Sequence, residues 1–520
     1  MPGIVSPQMA TSATARPAAA PRGIGRTRAG AAAFLADPRR VLCLACAMLA
    51  LIPCVDVLGD PDVWWHLRAG RWMLDHHAIP RAELFSYTAA GHPWTAHEWL
   101  SEVLFAGIAA TAGLAVLALV AAAVAWSGLL ACGLRARSRG AGPVAIGVAL
   151  IVGARAAEPV LGTRPQVATF ALACWTLLIV ERHLRRGGRA LWLLPPLFAV
   201  WANLHAGFLG GLAVLALVLA VELARPLLRR PATVPQRRVR DLALAFAGST
   251  AACCLTPAGP GLLTFAIGVS AAERSRPIVE WRAPNFHDPA MAGLLVLLVS
   301  LAVLAVARWR DLDLRDGVLV AAGTAAALMA VRNTALCVAL VLPTWTVLFD
   351  RAVVALERRH RGRATSGAVR PAAVVTGLAA LVLAAITAAG VSSQRAARDA
   401  AGDAVAARYP AAAATAIASL PGQVRLFAPY ADGGYLIDRL WPHAVVYVYG
   451  EDTVLGSSVL DDYLRIASGA GDAPSALSLL DKSGTNAVLA PPGPLANQLL
   501  ASGRWRAASR DGERTLFLSR

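Results

Sequence analysis

Lysine is almost absent from this chain: of its 49 basic residues only Lys482 is not an arginine. Charge of any kind is scarce, at 16% of 520 residues, while 57% are hydrophobic and the mean hydropathy is +0.55. So little charge on so long a chain excludes an ordinary soluble globule and points to a polytopic membrane protein. Cysteine is also scarce. Cys43, Cys46, Cys54, Cys132, Cys174, Cys253, Cys254 and Cys337 all fall inside or beside apolar segments, and none lies in the first loop or the C-terminal region. That placement excludes a disulfide framework and a zinc-spaced CxxC on a polar loop. No internal repeat is visible, and no low-complexity tract beyond the N-terminal tail. The formal net charge of +17 raises nucleic-acid binding, but the arginines come in short runs between apolar segments. Membrane proteins set their orientation in this way.

Residues 1–38 are rich in Ala, Pro, Gly, Thr and Arg without apolar periodicity and read as a disordered cytoplasmic tail. The run from about Val41 to Leu58 reads as a signal anchor that stays in the membrane. A span needs about 20 apolar residues. The pattern gives eleven candidates, near 40–58, 113–134, 142–157, 166–181, 190–203, 207–224, 241–257, 290–307, 316–331, 334–350 and 371–391. With eleven spans every dense basic run falls on the cytoplasmic side: the tail, then the runs near Arg137, Arg185, Arg238, Arg310 and Arg359. The N-terminus is then inside, and the first loop and the C-terminus are outside. The last part of the chain alternates helical patterns with short strand-like runs, "QVRLFAPY", "AVVYVYG" and "NAVLAPP", and ends in a hairpin at Asp511-Gly512. This predicts an extracytoplasmic α/β domain over 393–520, on a mainly α membrane domain over 39–392.

What is present in unusual density is the first outer loop, 59–112, with five tryptophans, acids and histidines. Asp60-Pro61 is a helix start, with Asp as cap and Pro at the first turn, and the helix runs to about His76. Asp62 and His66 are four apart and share a face, an acid and a histidine suited to proton abstraction or ligation. Thr95-x-x-Glu98 has the form of a capping box, and the tryptophans suit interfacial anchoring. Further polar and ionisable residues fall on the same side: Arg155, Glu158 and Arg164; Asn203 and His205 in "WANLHAG"; Glu280, Arg282, Asn285 and His287 in "RPIVEWRAPNFHD"; and Arg332-Asn333. Ionisable residues at a membrane edge are functional candidates.

The motifs "DPDVWWHLRAGRWMLDHHAIPRAELFSYTAAGHPWTAHEWL", "TRPQ", "WANLHAGF", "IVEWRAPNF", "RNTAL", "VRLFAPYADGGYLIDRLWP" and "DDYLRI" resemble a group of bacterial polytopic proteins over residues 40–520. That group looks like a branch of the GT-C glycosyltransferases, multi-span enzymes that use polyprenyl-phosphate-linked sugars, and the resemblance implies a multi-pass protein of a bacterial plasma membrane. The resemblance implies an acidic catalytic residue just after the first span, and the matching positions are Asp60 and Asp62. Asp-Pro-Asp stands here where many relatives have an Asp-Glu pair, so which Asp is the counterpart stays open. It also implies a sugar moved to an outer glycan, lipid or protein acceptor. Arg164, Arg282 or Arg332 would face the leaving phosphate across an outward cavity. His66 and His97 would orient the acids or help hold a divalent metal ion, with Glu98, Asn203, His205, Glu280 and Asn333 completing the substrate site. A transporter of a lipid-linked substrate would call for broken inverted-repeat helices. A non-catalytic scaffold with a GT-C-like body is the other alternative, and the geometry of the first loop separates them.

The topology predicts that a reporter fused after Arg520 is active only when it folds outside the cytoplasm; activity confined to the cytoplasmic form would contradict eleven spans.

Overall fold

The computed structural model describes residues 37–55, 60–272, 279–361, 408–472 and 474–520. The N-terminal tail and the last candidate span, 371–391, lie outside the described residues. The helices of the membrane domain are α1 (Pro38–Leu49), α2 (Val63–His76), α3 (Trp99–Ala112), α4 (Leu114–Ser138), α5 (Pro143–Ala157), α6 (Gln166–Arg186), α7 (Leu194–Leu204), α8 (Phe208–Ala224), α9 (Gln236–Ala252), α10 (Gly261–Ala272), α11 (Ala292–Ala307), α12 (Leu314–Met329) and α13 (Thr334–Arg361). Five segments are long and apolar enough to cross a membrane: Leu114–Ser138, Pro143–Val160, Gln166–Arg186, Pro289–Ala307 and Val331–Arg358. Five more of the expected spans coincide with helices of 11 to 17 residues, so the count of eleven stays an expectation.

These helices pack through small residues, as apolar helices must when lipid offers no hydrophobic gain on association. A Cβ on Gly128 of α4 would stand 3.0 Å from the Ala171 Cα of α6. At the end of the domain expected to face the cytoplasm, arginines of the orientation runs are paired inside the bundle. Glu181 meets Arg135, Arg185 and Arg315 at 3.7, 2.6 and 3.5 Å. Arg315 also reaches Glu222 at 3.1 Å, and Arg225 bridges Glu222 and Asp313 at 2.8 and 2.5 Å. Four helices are thereby pinned, since a buried arginine is tolerated only with its charge answered.

The C-terminal region is the α/β domain that the alternating pattern implies. After α14 (Ala411–Ala418) come β1 (Val424–Phe427), α15 (Tyr430–Leu440), β2 (Ala444–Val446), α16 (Asp452–Ser468), α17 (Ala476–Ser483), β3 (Ala487–Ala490), α18 (Pro494–Ala501), β4 (Trp505–Asp511) and β5 (Arg514–Ser519). The sheet order is β2-β1-β3-β5-β4. β1 runs parallel to β2 and β3, and the terminal hairpin is antiparallel. β3 is buried at all four positions, as a strand covered on both faces should be.

The first outer loop is built into this domain. Val446 N–H donates to the Phe85 carbonyl at 3.0 Å and Tyr87 N–H to the Val446 carbonyl at 3.2 Å, so residues 85–87 cover the exposed edge of β2. Trp64 packs edge-on against Tyr409 and Tyr435, at 5.4 and 5.2 Å between ring centroids. Trp65 meets Tyr449 at 5.7 Å. Arg71 pairs with Asp438 of α15. The expected interfacial role of the tryptophans is therefore corrected for Trp64, Trp65 and Trp94, which are 2%, 3% and 4% exposed. Trp64 and Trp65 pack against tyrosines of the docked domain, and Trp94 packs edge-on against Phe85 of the same loop.

Glu83 fixes the turn that presents this edge. Its carboxylate accepts from Phe85 N–H at 2.7 Å, Ser86 N–H at 2.6 Å and Tyr449 O–H at 2.7 Å. Replacing Glu83 by Ala orphans three buried donors, at about 1–3 kcal/mol each for the ones that find no water. Glu83→Ala should lower the thermal midpoint of the purified protein by several degrees and make the C-terminal domain susceptible to limited proteolysis. An unchanged melting curve and digestion pattern would refute this account of the junction.

Candidate functional site

The chain turns at Asp60 and enters α2 at Val63. Asp60 accepts the Asp62 N–H at 3.0 Å, so it organises the turn before α2 and is not the expected cap; Asp62, two residues on, occupies the cap position without a capping bond. Both carboxylates converge on one guanidinium. Arg164 Nε lies 3.1 Å from Asp60 Oδ2, its Nη2 lies 3.2 Å from Asp62 Oδ2, and its Nη1 donates to Glu280. The three acids come from two outer segments far apart in sequence and meet an arginine from the α5–α6 turn. Gly162 in that turn leaves room for Asp60, since a Cβ there would come within 3.1 Å of Oδ2. On the side of the α/β domain, Gly450 lies so close to the Asp62 carboxylate that a Cβ would overlap it.

Burial, opposed by Arg164 and reinforced by Asp62, pushes the Asp60 carboxyl up to about 7. Burial also raises Asp62, again against Arg164. Burial by itself would lower Arg164, but the surrounding carboxylates carry it well above its usual value. Three acids around one cation leave the group rich in negative charge, and a carboxyl titrating near neutrality is suited to proton transfer.

A second cluster lies one turn further along α2. Glu98 does not close a capping box: α3 begins at Trp99, not Thr95, and Glu98 makes no capping bond. Its carboxylate instead faces three imidazoles, with His205 Nε2 at 3.3 Å, His97 Nε2 at 3.6 Å and His66 Nε2 at 3.7 Å. His66 Nδ1 meets Glu102 Oε1 at 3.2 Å. Burial drives His66 down to about 3 against the pull of Glu98, and His205 down to about 4. Burial also disfavours charge on His97, yet the adjacent Glu98 carboxylate raises it to about 9. Burial works to raise Glu98, but His97, His205 and His66 hold it below the usual carboxylate range. Donor atoms of His66, Glu98 and Glu102 lie within 4.8 Å of one another, a grouping able to hold a metal ion.

Of the residues expected from sequence, Asp60, Asp62, Arg164 and Glu280 form the first cluster, and His66, His97, Glu98 and His205 the second. Asn203 is a brace: its Oδ1 accepts Trp99 Nε1–H at 2.8 Å and its Nδ2 donates to the Leu255 carbonyl at 2.9 Å. Asn333 donates to the Ala326 carbonyl at 3.0 Å at the end of α12. The Arg332 guanidinium stacks over Trp281 at 4.1 Å, and the Arg282 side chain is exposed. Of the three expected phosphate-facing arginines, Arg164 contacts the Asp pair. A groove of about 840 Å³ runs past the end of α2 and the start of α3, lined in part by Trp94, Thr95, Trp99 and Pro257 but by neither Asp60 nor Asp62. Glu102 was legible as the residue four after Glu98 on one helix face. Glu451, which burial raises to about 7 against the influence of His97, and the Tyr430–Asp452 hydrogen bond of 3.0 Å enter from the α/β domain, and no local pattern announces them.

No family model and no curated protein matches the chain. Solved structures do. The archaeal oligosaccharyltransferase AglB from Archaeoglobus fulgidus, in complex with an inhibitory peptide and a dolichol-phosphate, superposes with a TM-score of 0.61 at 12% identity, covering 88% of this chain and 70% of that one. ArnT from Cupriavidus metallidurans, bound to undecaprenyl phosphate, superposes with a TM-score of 0.56 at 14% identity, covering 92% and 97%. The chain therefore has the fold of the GT-C glycosyltransferases, and the resemblance read from its motifs extends to the tertiary structure.

Removing Arg164 would leave three carboxylates without their cation, at about 3–5 kcal/mol for a broken buried pair. Because Asp60 and Asp62 take up protons more readily than ordinary carboxyls, acid relieves the repulsion. Arg164→Ala should therefore melt well below wild type at pH 8, with the gap narrowing towards pH 5.5; a gap independent of pH would show that the acids do not depend on Arg164.

Proposed function

We propose that this protein is an integral membrane glycosyltransferase that moves a sugar from a polyprenyl-phosphate donor to an acceptor on the outer side of the plasma membrane, with Asp60 as general base. The observation that carries the reading is an acid pair on the first outer loop, one member titrating near 7, in a fold shared with two proteins whose structures hold polyprenyl phosphates.

A lipid-phosphate donor presents its sugar at the membrane surface. The acceptor hydroxyl attacks the anomeric carbon, the bond to phosphate breaks, and the hydroxyl proton passes to the Asp60 carboxylate. The phosphate leaves as a weak base and needs positive charge rather than a strong acid. Arg164, already held by carboxylates, orders the acids and shares its charge with them. Arg164 holds both acids, and Asp62 is the less suited base because Gly450 packs directly against its carboxylate. Glu451, Tyr430 and Asp452 of the α/β domain lie close to the acids, which favours an acceptor approaching from that side.

The test is turnover of a panel of radiolabelled polyprenyl-phosphate sugars by the purified protein. Asp60→Asn keeps the turn, since an Asn Oδ1 can still accept the Asp62 N–H, but should cut turnover on the order of 10²–10⁴, the range for losing a general base. A base acts only as the carboxylate, so wild-type turnover should climb with pH up to about 7 and level off above it. Full activity of both Asp60→Asn and Asp62→Asn would overturn the base assignment. No transfer from any donor in the panel would favour a scaffold with a GT-C-like body.

A further inference from the structure

Two stretches at the end of the membrane domain expected to face the cytoplasm contain no acid: 186–193, "RGGRALWL", and 225–240, "RPLLRRPATVPQRRVR". Two of their arginines are engaged inside the protein. Arg225 pairs with Glu222 and Asp313. Arg238 donates from Nη1 to the Leu184 carbonyl at 3.0 Å, and its own carbonyl lies 3.2 Å from His183 Nε2. These bonds hold the start of α9 against the end of α6, so the two stretches lie side by side. The other arginines, Arg186, Arg189, Arg229, Arg230, Arg237 and Arg240, are exposed. Among the described residues, none of these six side chains has an ion-pair or hydrogen-bond partner.

Orientation in the membrane asks only for positive charge. It does not ask for large apolar side chains beside that charge. Yet Trp192 and Leu193 are 47% and 58% exposed, and Leu227 and Leu228 are 85% and 57% exposed. Leu227 and Leu228 lie within about one turn of the end of α8, at the boundary between hydrocarbon and headgroups. The chain reverses there. The Arg230 N–H donates to the Arg225 carbonyl at 2.9 Å, and Arg229 takes a left-handed conformation, φ +51°, where a helix end usually carries glycine.

We propose that the α6–α7 and α8–α9 turns form a binding surface for anionic phospholipid. The six arginines meet headgroup phosphates, each able to fork two N–H groups onto one phosphate. Trp192, Leu193, Leu227 and Leu228 sit among the first acyl carbons. Apolar insertion and a cluster of cations are the two signals that together hold a surface on an anionic leaflet. A zwitterionic lipid carries the same phosphate but cancels its charge, and is the weaker ligand. A nucleic acid or an acidic protein would answer the arginines and leave the leucines in water.

The test needs no sugar substrate, so its outcome is independent of the transferase reading. Full-length protein in a neutral detergent would be titrated with fluorescent phosphatidylglycerol. The expected binding saturates, weakens with salt and is displaced by unlabelled phosphatidylglycerol. Phosphatidylcholine of the same chains and inorganic phosphate should displace it poorly. Arg229→Gly with Arg230→Gln should weaken binding about 25-fold, at about fivefold for each cation near an anionic surface. Glycine suits the left-handed turn, so this variant should melt close to wild type, and its loss of binding is not a loss of fold. Leu227→Ser with Leu228→Ser should also weaken binding and leave its salt dependence in place. Arg506→Gln with Arg510→Gln removes the same charge from exposed positions on β4 and should bind like wild type. Equal displacement by phosphatidylcholine or by inorganic phosphate, or equal weakening in the two arginine pairs, would overturn the proposal.

Discussion

The crossing of α2 over α3 is the constraint on which the site depends. Gly70 on α2 packs so tightly that a Cβ would overlap the Glu102 carbonyl, with the Ala106 methyl 2.9 Å away. Only a residue without a side chain admits this approach. Because the helices touch there, His66, one turn earlier on α2, falls against Glu102 on α3 and Glu98 just before it. A further turn back, Asp62 and Asp60 fall against Arg164. A looser crossing would separate histidine from carboxylate and swing the helix start away from the arginine.

Charge is handled differently at the two ends of the membrane domain. At one end, Arg135, Arg225 and Arg315 are answered by Glu181, Glu222 and Asp313, giving a balanced network that ties helices together. At the other end the balance is deliberately unequal: three carboxylates share Arg164, and two carboxylates share His66. Imbalance in a buried site costs stability, and such cost is usually kept where chemistry or ligand binding uses it. The α/β domain contributes by exclusion. It seals α2 with tyrosines and sets Gly450 over Asp62, so the acids sit in a poorly hydrated corner where their protons are held more tightly.

Sequence by itself determined much of this protein. Apolar run lengths gave the membrane helices, because backbone in lipid must satisfy its own hydrogen bonds and helices do so locally. The strand–helix alternation after residue 420 gave the α/β domain almost element by element, since its short apolar runs are bounded by turn residues. Unusual polar residues among Ala, Leu and Val marked Asp60, Asp62, His66, His97, Glu98, Arg164, His205 and Glu280, because burying such groups in an apolar chain needs a reason. Tertiary structure alone decided how they divide. It parted the acids around Arg164 from the histidines around Glu98, turned Asn203 and Asn333 into braces, left Arg282 exposed, and buried tryptophans that local pattern assigned to headgroups. It also supplied Glu451 and Tyr430. Pairing between residues hundreds of positions apart leaves no periodic trace, because periodicity reports which face a residue occupies and not what comes to cover that face.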